Sequence, residues 1–94
     1  MTTKINGTHR QGEVNESYAR LVEVFGPPGP GDGYKQDAQW IIEQSGVVAT
    51  IYNYKDGPNY CGERGDPVHE IRDWHIGGHT SAAVALVFAR LART

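Results

Sequence analysis

Three groups of residues have side chains able to do chemistry. The first is Gly77-Gly78-His79-Thr80-Ser81. Glycines ahead of a helix let a ligand approach the backbone closely. The unpaired N–H groups and the helix dipole favour an anion, and threonine and serine hydroxyls add donors. A phosphate or carboxylate suits such a place, although an ordinary capped turn has the same composition. The Gly-Lys-Ser/Thr of a phosphate-binding loop is absent. The second group is Tyr52, Tyr54, Lys55, Asn59, Tyr60 and Arg64, with Trp74 and His75 on the segment that follows. Aromatic faces stack on planar rings and lysine or arginine holds phosphate. Taken singly, Tyr52 and Trp74 also fit sheet packing, and the loop charges fit a solvated surface.

The third group is His69, His75 and His79 with Cys61. Between His75 and His79 lies Gly77-Gly78, which argues against one continuous metal-binding helix. Paired Cys-x-x-Cys ligands and the zinc-protease signature are both missing, so no metal is expected. Nucleophilic catalysis has little support. Cys61 sits in a Gly/Pro-rich loop, Ser81 lacks the Gly-x-Ser-x-Gly elbow, and Asp56, Glu63, Asp66 and Asp73 make no recognisable acid/base pair. No catalytic residue, metal or cofactor is assigned, and binding is favoured over catalysis.

These groups must be carried by few elements. The chain has 94 residues, enough for one domain. Only 38% are apolar and 12 are glycine, a thin core that oligomerisation would enlarge. The net charge of −2 gives no basic excess, so general nucleic-acid binding is not expected. The single cysteine suits a reducing compartment, and no secretory leader or membrane span is visible, so a cytoplasmic protein is expected.

Residues 1–13 are polar without periodicity and read as a flexible arm, leaving 14–94 as a single α+β domain. Val14, Tyr18, Leu21, Val22 and Phe25 fall on one helical face, with Asn15 as N-cap and Gly26-Pro27-Pro28 as the stop. Residues 26–36 form a stiff Pro-Gly connector. Ala38 to Gln44 and Val47 to Lys55 flank Ser45-Gly46, a two-residue hairpin turn. That register places Trp40 opposite Ile51 and Ile42 opposite Ala49 on the core side. Gln39, Ile41, Glu43, Val48, Thr50 and Tyr52 take the other face, which is left exposed or covered by a partner. Residues 55–69 are a long loop. A third strand covers Glu70 to Ile76 and is broken by Gly77-Gly78. Thr80 or Ser81 caps a last helix ending near Ala92, with Val84, Val87, Phe88 and Leu91 as its stripe. The expectation is a three-stranded antiparallel sheet with an N-terminal and a C-terminal helix, in the order α-β-β-β-α. The last helix is apolar nearly all round, so it is expected to pack against a second subunit.

The segments Leu21-Val22-Glu23-Val24-Phe25-Gly26-Pro27, Val48-Ala49-Thr50-Ile51-Tyr52-Asn53-Tyr54-Lys55 and Trp74-His75-Ile76-Gly77-Gly78 together resemble a family of small bacteriophage and prophage proteins. The resemblance covers most of residues 18–78 and implies no catalytic role. What it implies is a context of stoichiometric binding: inhibition of a host defence protein, or sequestration of a nucleotide signal by an obligate oligomer. The expected function is therefore capture of a small phosphorylated, nucleotide-like ligand without cleavage, by a homo-oligomer built through the C-terminal helix. Inhibition of a host protein is the alternative, and a small hydrolase or metal-dependent enzyme is the third reading.

Overall fold

The computed structural model describes residues 7–93. Its elements are β1 (His9–Asn15), α1 (Tyr18–Phe25), β2 (Gln39–Gln44), β3 (Val47–Tyr52), a short α2 (Pro58–Cys61), two 3-10 turns (Gly62–Arg64 and Val68–Glu70), β4 (Asp73–Gly78) and α3 (Ala82–Ala92). The strands form one antiparallel sheet in the order β1-β4-β3-β2. The α+β class stands. The sheet, however, has four strands rather than three, because the expected arm contributes one of them. Residues 1–6 of that arm lie outside the described residues. No helix in the described span is long and apolar enough to cross a membrane.

β1 pairs with β4 from His9 opposite Gly78 to Asn15 opposite Asp73, with a bulge between Arg10 and Gly12. Its one buried apolar side chain is Val14, opposite Trp74. Val14 therefore belongs to a strand and not to the first helix. Asn15 does not cap that helix either. Its amide donates to the Asp73 carboxylate at 3.1 Å. The cap is Ser17, whose hydroxyl accepts from the Arg20 N–H at 3.1 Å. Gly26 ends α1 with a φ of 89°, a left-handed value that glycine accepts without steric cost.

The hairpin register is the expected one: Trp40 opposite Ile51 and Ile42 opposite Ala49. Ser45 and Gly46 turn with φ of 54° and 81°, the positive pair of a tight two-residue hairpin turn. β3 ends at Tyr52, earlier than expected, because Asn53 leaves the ladder and turns its side chain inward. β4 runs from Asp73 through Gly78, so Gly77-Gly78 do not break the strand. Gly77 pairs with Arg10 and Thr50, and Gly78 with His9 and Ala49.

One sheet face carries the core. Trp40, Ile42, Ala49, Ile51, Trp74 and Ile76 are buried there, under Ala83, Val87 and Leu91 of α3 and Leu21 of α1. Full burial of each large apolar side chain contributes about 1.5–3 kcal/mol. The two indoles meet edge to face at 5.3 Å, with Tyr18 against both. Each indole N–H is satisfied. Trp40 donates to the Gly26 carbonyl at 2.7 Å, and Trp74 to the Glu16 and Ile71 carbonyls at 3.0 and 3.2 Å. The buried stripe of α3 is Ala83, Val87 and Leu91, while Phe88 from the expected stripe is 46% exposed. The Arg20 guanidinium donates to the Leu91 carbonyl at 3.0 Å and so tethers the end of α3 to α1.

Candidate functional site

Helices α1 and α3 pack on the core face of the sheet. On the opposite face, at the β3–β4 end, His75 lies half-buried against two tyrosines. It stacks on Tyr54 at 5.7 Å and meets Tyr52 edge-on at 5.5 Å. Burial pushes the His75 pKa below its ordinary 6.5, helped by Arg10 and opposed by Glu13, Asp56 and Asp73. The imidazole is thus neutral at neutral pH and presents an uncharged aromatic ring. Burial likewise raises the Tyr52 pKa, so its phenol keeps its proton.

From His75 the aromatic surface continues outward. The Lys55 ammonium stands 5.3 Å from the Tyr54 ring centre and 5.4 Å from that of Tyr60. Lys35 approaches Tyr54 at 6.0 Å, and Tyr34 meets Tyr60 at 5.3 Å. Tyr34, Tyr54 and Tyr60 are all exposed. Planar rings and cations within about 6 Å of one another suit a ligand with its own flat ring and negative charge.

Asn53 holds these segments in place. Fully buried, it accepts from the Asp37 and Ala38 N–H groups at 2.7 and 3.0 Å, and its amide donates to Asp37 and Asp56 carboxylates at 2.8 and 3.0 Å. Asp37 also accepts from the Asn59 N–H at 2.9 Å, and the Asn59 amide donates to the Gln36 carbonyl at 3.1 Å. The Lys55 N–H donates to the Lys35 carbonyl at 2.7 Å, with Lys55 itself at a φ of 62°. The connector bearing Tyr34 and Lys35 is thereby tied to the loop bearing Tyr54, Lys55 and Tyr60.

Of the residues singled out in the sequence, Tyr52, Tyr54, Lys55, Tyr60 and His75 come together. Trp74 is fully buried on the core face and cannot reach a ligand on the open one. Arg64 is exposed on the 3-10 turn after α2. Gly77 and Gly78 lie inside β4, each paired with β1 on one side and β3 on the other, and not in a loop ahead of α3. A β-carbon on Gly77 would come within 2.6 Å of the Thr50 hydroxyl, and one on Gly78 would fall on the Ala83 methyl. His79, Thr80 and Ser81 are exposed at the start of α3. The amides there are already used: Ala82 donates to the Thr80 hydroxyl at 3.2 Å, Ala83 to the Thr80 carbonyl at 3.1 Å and Val84 to the Ser81 carbonyl at 3.0 Å. The capping hydroxyl is thus that of Thr80, since Ser81 makes no side-chain cap bond.

The histidines and Cys61 are dispersed. His69 lies beside Glu70 on the second 3-10 turn, and the Cys61 thiol donates to the Lys55 carbonyl at 3.1 Å. Among the described residues, no three His, Cys, Asp or Glu side chains gather as a metal would require.

Tyr34, Lys35, Asp37 and Asn53 escaped the sequence reading. The Asp32 carboxylate accepts from the Tyr34, Lys35 and Gln36 N–H groups at 2.9, 3.0 and 2.9 Å. An Asp-Gly pair in a connector is the signal that could have flagged this Asp-anchored turn. Comparison with protein-family models, with curated proteins and with solved structures finds no match.

Proposed function

We propose that this protein is a binding module that takes a small phosphorylated, nucleotide-like ligand on its open sheet end and sequesters it without cleaving it. The observation that carries the reading is the Lys55 ammonium between the exposed Tyr54 and Tyr60 rings, with Tyr54 stacked on a neutral His75. A base stacks on Tyr54, and Lys55 with Lys35 holds the phosphate. The resemblance to small phage proteins supplies the biological setting: capture of a defence signal in the host cytoplasm. Calorimetric titration with a panel of mononucleotides, cyclic nucleotides and ADP-ribose tests it, with product analysis of the recovered ligand. Binding, an intact ligand, and at least about a fivefold loss in Tyr54→Ala are expected, since one base–aromatic stack is worth about 1–3 kcal/mol. A flat response to the whole panel at millimolar ligand, or a cleaved product, would sink the proposal.

The assembly proposed with it uses the uncovered side of α3. Ala82, Ala85, Phe88, Ala89 and Ala92 are exposed there, a small-residue surface with one large apolar ring. Such a face lets a second copy of the helix approach closely. Light scattering at micromolar concentration is expected to give a dimer or larger, and a monomer for Phe88→Asp. A monomeric wild type refutes this assembly.

A second reading has its own observation. Ile41 is 55% exposed on the open sheet face, which suits a protein partner better than a nucleotide. Stoichiometric inhibition of a host protein would use that face.

A further inference from the structure

The aromatic surface divides into two stations with one cation between them. Tyr34 and Tyr60, with ring centres 5.3 Å apart, make the outer station. Tyr54 stacked on His75 at 5.7 Å makes the inner one. The Lys55 ammonium is nearly equidistant from both, 5.3 Å from the Tyr54 ring and 5.4 Å from the Tyr60 ring. A mononucleotide occupies one station and leaves the other bare. We infer that the ligand is a dinucleotide, two nucleobases joined through phosphate, with one base on each station and the linking phosphate at Lys55. The inference rests on the reading of this surface as a nucleotide site.

Two features support it. The spacing of the stations is set before a ligand arrives, because Asn59 bonds to Asp37 and Gln36, and the Lys55 N–H bonds to the Lys35 carbonyl. Fixed spacing favours a ligand whose two rings match it over two independent rings. Second, one side chain shields both stations. Lys55 lies over Tyr54 and Tyr60 together, so swinging its flexible stem toward a phosphate lifts it from both rings in one movement, while Lys35 stays 6.0 Å from the Tyr54 ring centre. A single ammonium then moves from two aromatic faces to a charge-assisted hydrogen bond, the stronger contact.

The test compares adenosine monophosphate with the linear diadenylate, titrated into the wild type and Tyr60→Ala. Tyr60 is exposed, and equal melting temperatures check that the variant is folded. In the wild type the diadenylate is expected to bind at least about fivefold tighter, the gain from one further stacked base. Tyr60→Ala is expected to remove that advantage, bringing the diadenylate down to the affinity of the mononucleotide for the same variant. Equal wild-type affinities, or a Tyr60→Ala loss shared equally by both ligands, overturn the dinucleotide inference and leave the nucleotide reading standing. Failure of both ligands to bind overturns both.

Discussion

Replacing Asn53 with alanine is expected to lower the unfolding free energy by about 3–5 kcal/mol, near the upper end of single-residue effects. The side chain is fully buried and makes four hydrogen bonds, two accepted from backbone N–H groups and two donated to carboxylates. Truncation strips a partner from every one of these groups at once. Leaving a buried polar group unpaired costs about 1–3 kcal/mol, more when it is charged. Urea melts at constant m-value would measure the loss, and a change below about 1 kcal/mol would mean that water takes over the vacated positions. Asn53→Asp sharpens the test. It keeps the shape and both accepted bonds, but sets a third carboxylate where the amide now faces Asp37 and Asp56. That variant should be least stable at neutral pH and partly recover in acid, as one of the three carboxyls takes up a proton. A pH-independent defect would show that size, rather than charge, limits the position.

The same residue marks where sequence patterns run out. Local rules found the hairpin and the last helix, because alternation around Ser45-Gly46 and a long apolar run are both local signals. They missed β1. The segment His9-Arg10-Gln11-Gly12-Glu13-Val14-Asn15 has one apolar residue to bury and a bulge that interrupts its alternation. It is an edge strand, held by pairing with β4, 58 to 69 positions further along the chain. The candidate site divides in the same way. Tyr52, Tyr54, Lys55, Tyr60 and His75 could be named from their types and proximity in the chain. Tyr34 and Lys35 could not, since their approach to Tyr60 and Tyr54 depends on the long-range bonds made by Asp37, Asn53 and Asn59. Trp74 was an attractive ligand contact by type, yet strand alternation turns it into the core while its neighbour His75 faces outward.

Gly77-Gly78 illustrates how one motif supports two physical accounts that a single experiment separates. If Gly78 served to bring a ligand near the backbone, alanine there would weaken binding and leave folding intact. The packing predicts the reverse. A β-carbon on Gly78 would occupy the place of the Ala83 methyl and press on the Val48 carbonyl at 3.1 Å, where the first turn of α3 crosses β4. Neither neighbour is the free end of a flexible side chain, so relief requires α3 to move off the sheet, and Val87 and Leu91 would lose burial with it. Gly78→Ala is therefore expected to cost about 1–3 kcal/mol, the usual range for overpacking a close-packed interior. The clash names its own remedy. Ala83→Gly alone should be mildly destabilising, by up to about 1 kcal/mol, through lost helix propensity. Combined with Gly78→Ala it should give back most of the clash. A double-mutant cycle should then show a favourable coupling of at least about 1 kcal/mol between the two sites. Strict additivity would refute the contact, because two independent losses cannot arise from one shared volume.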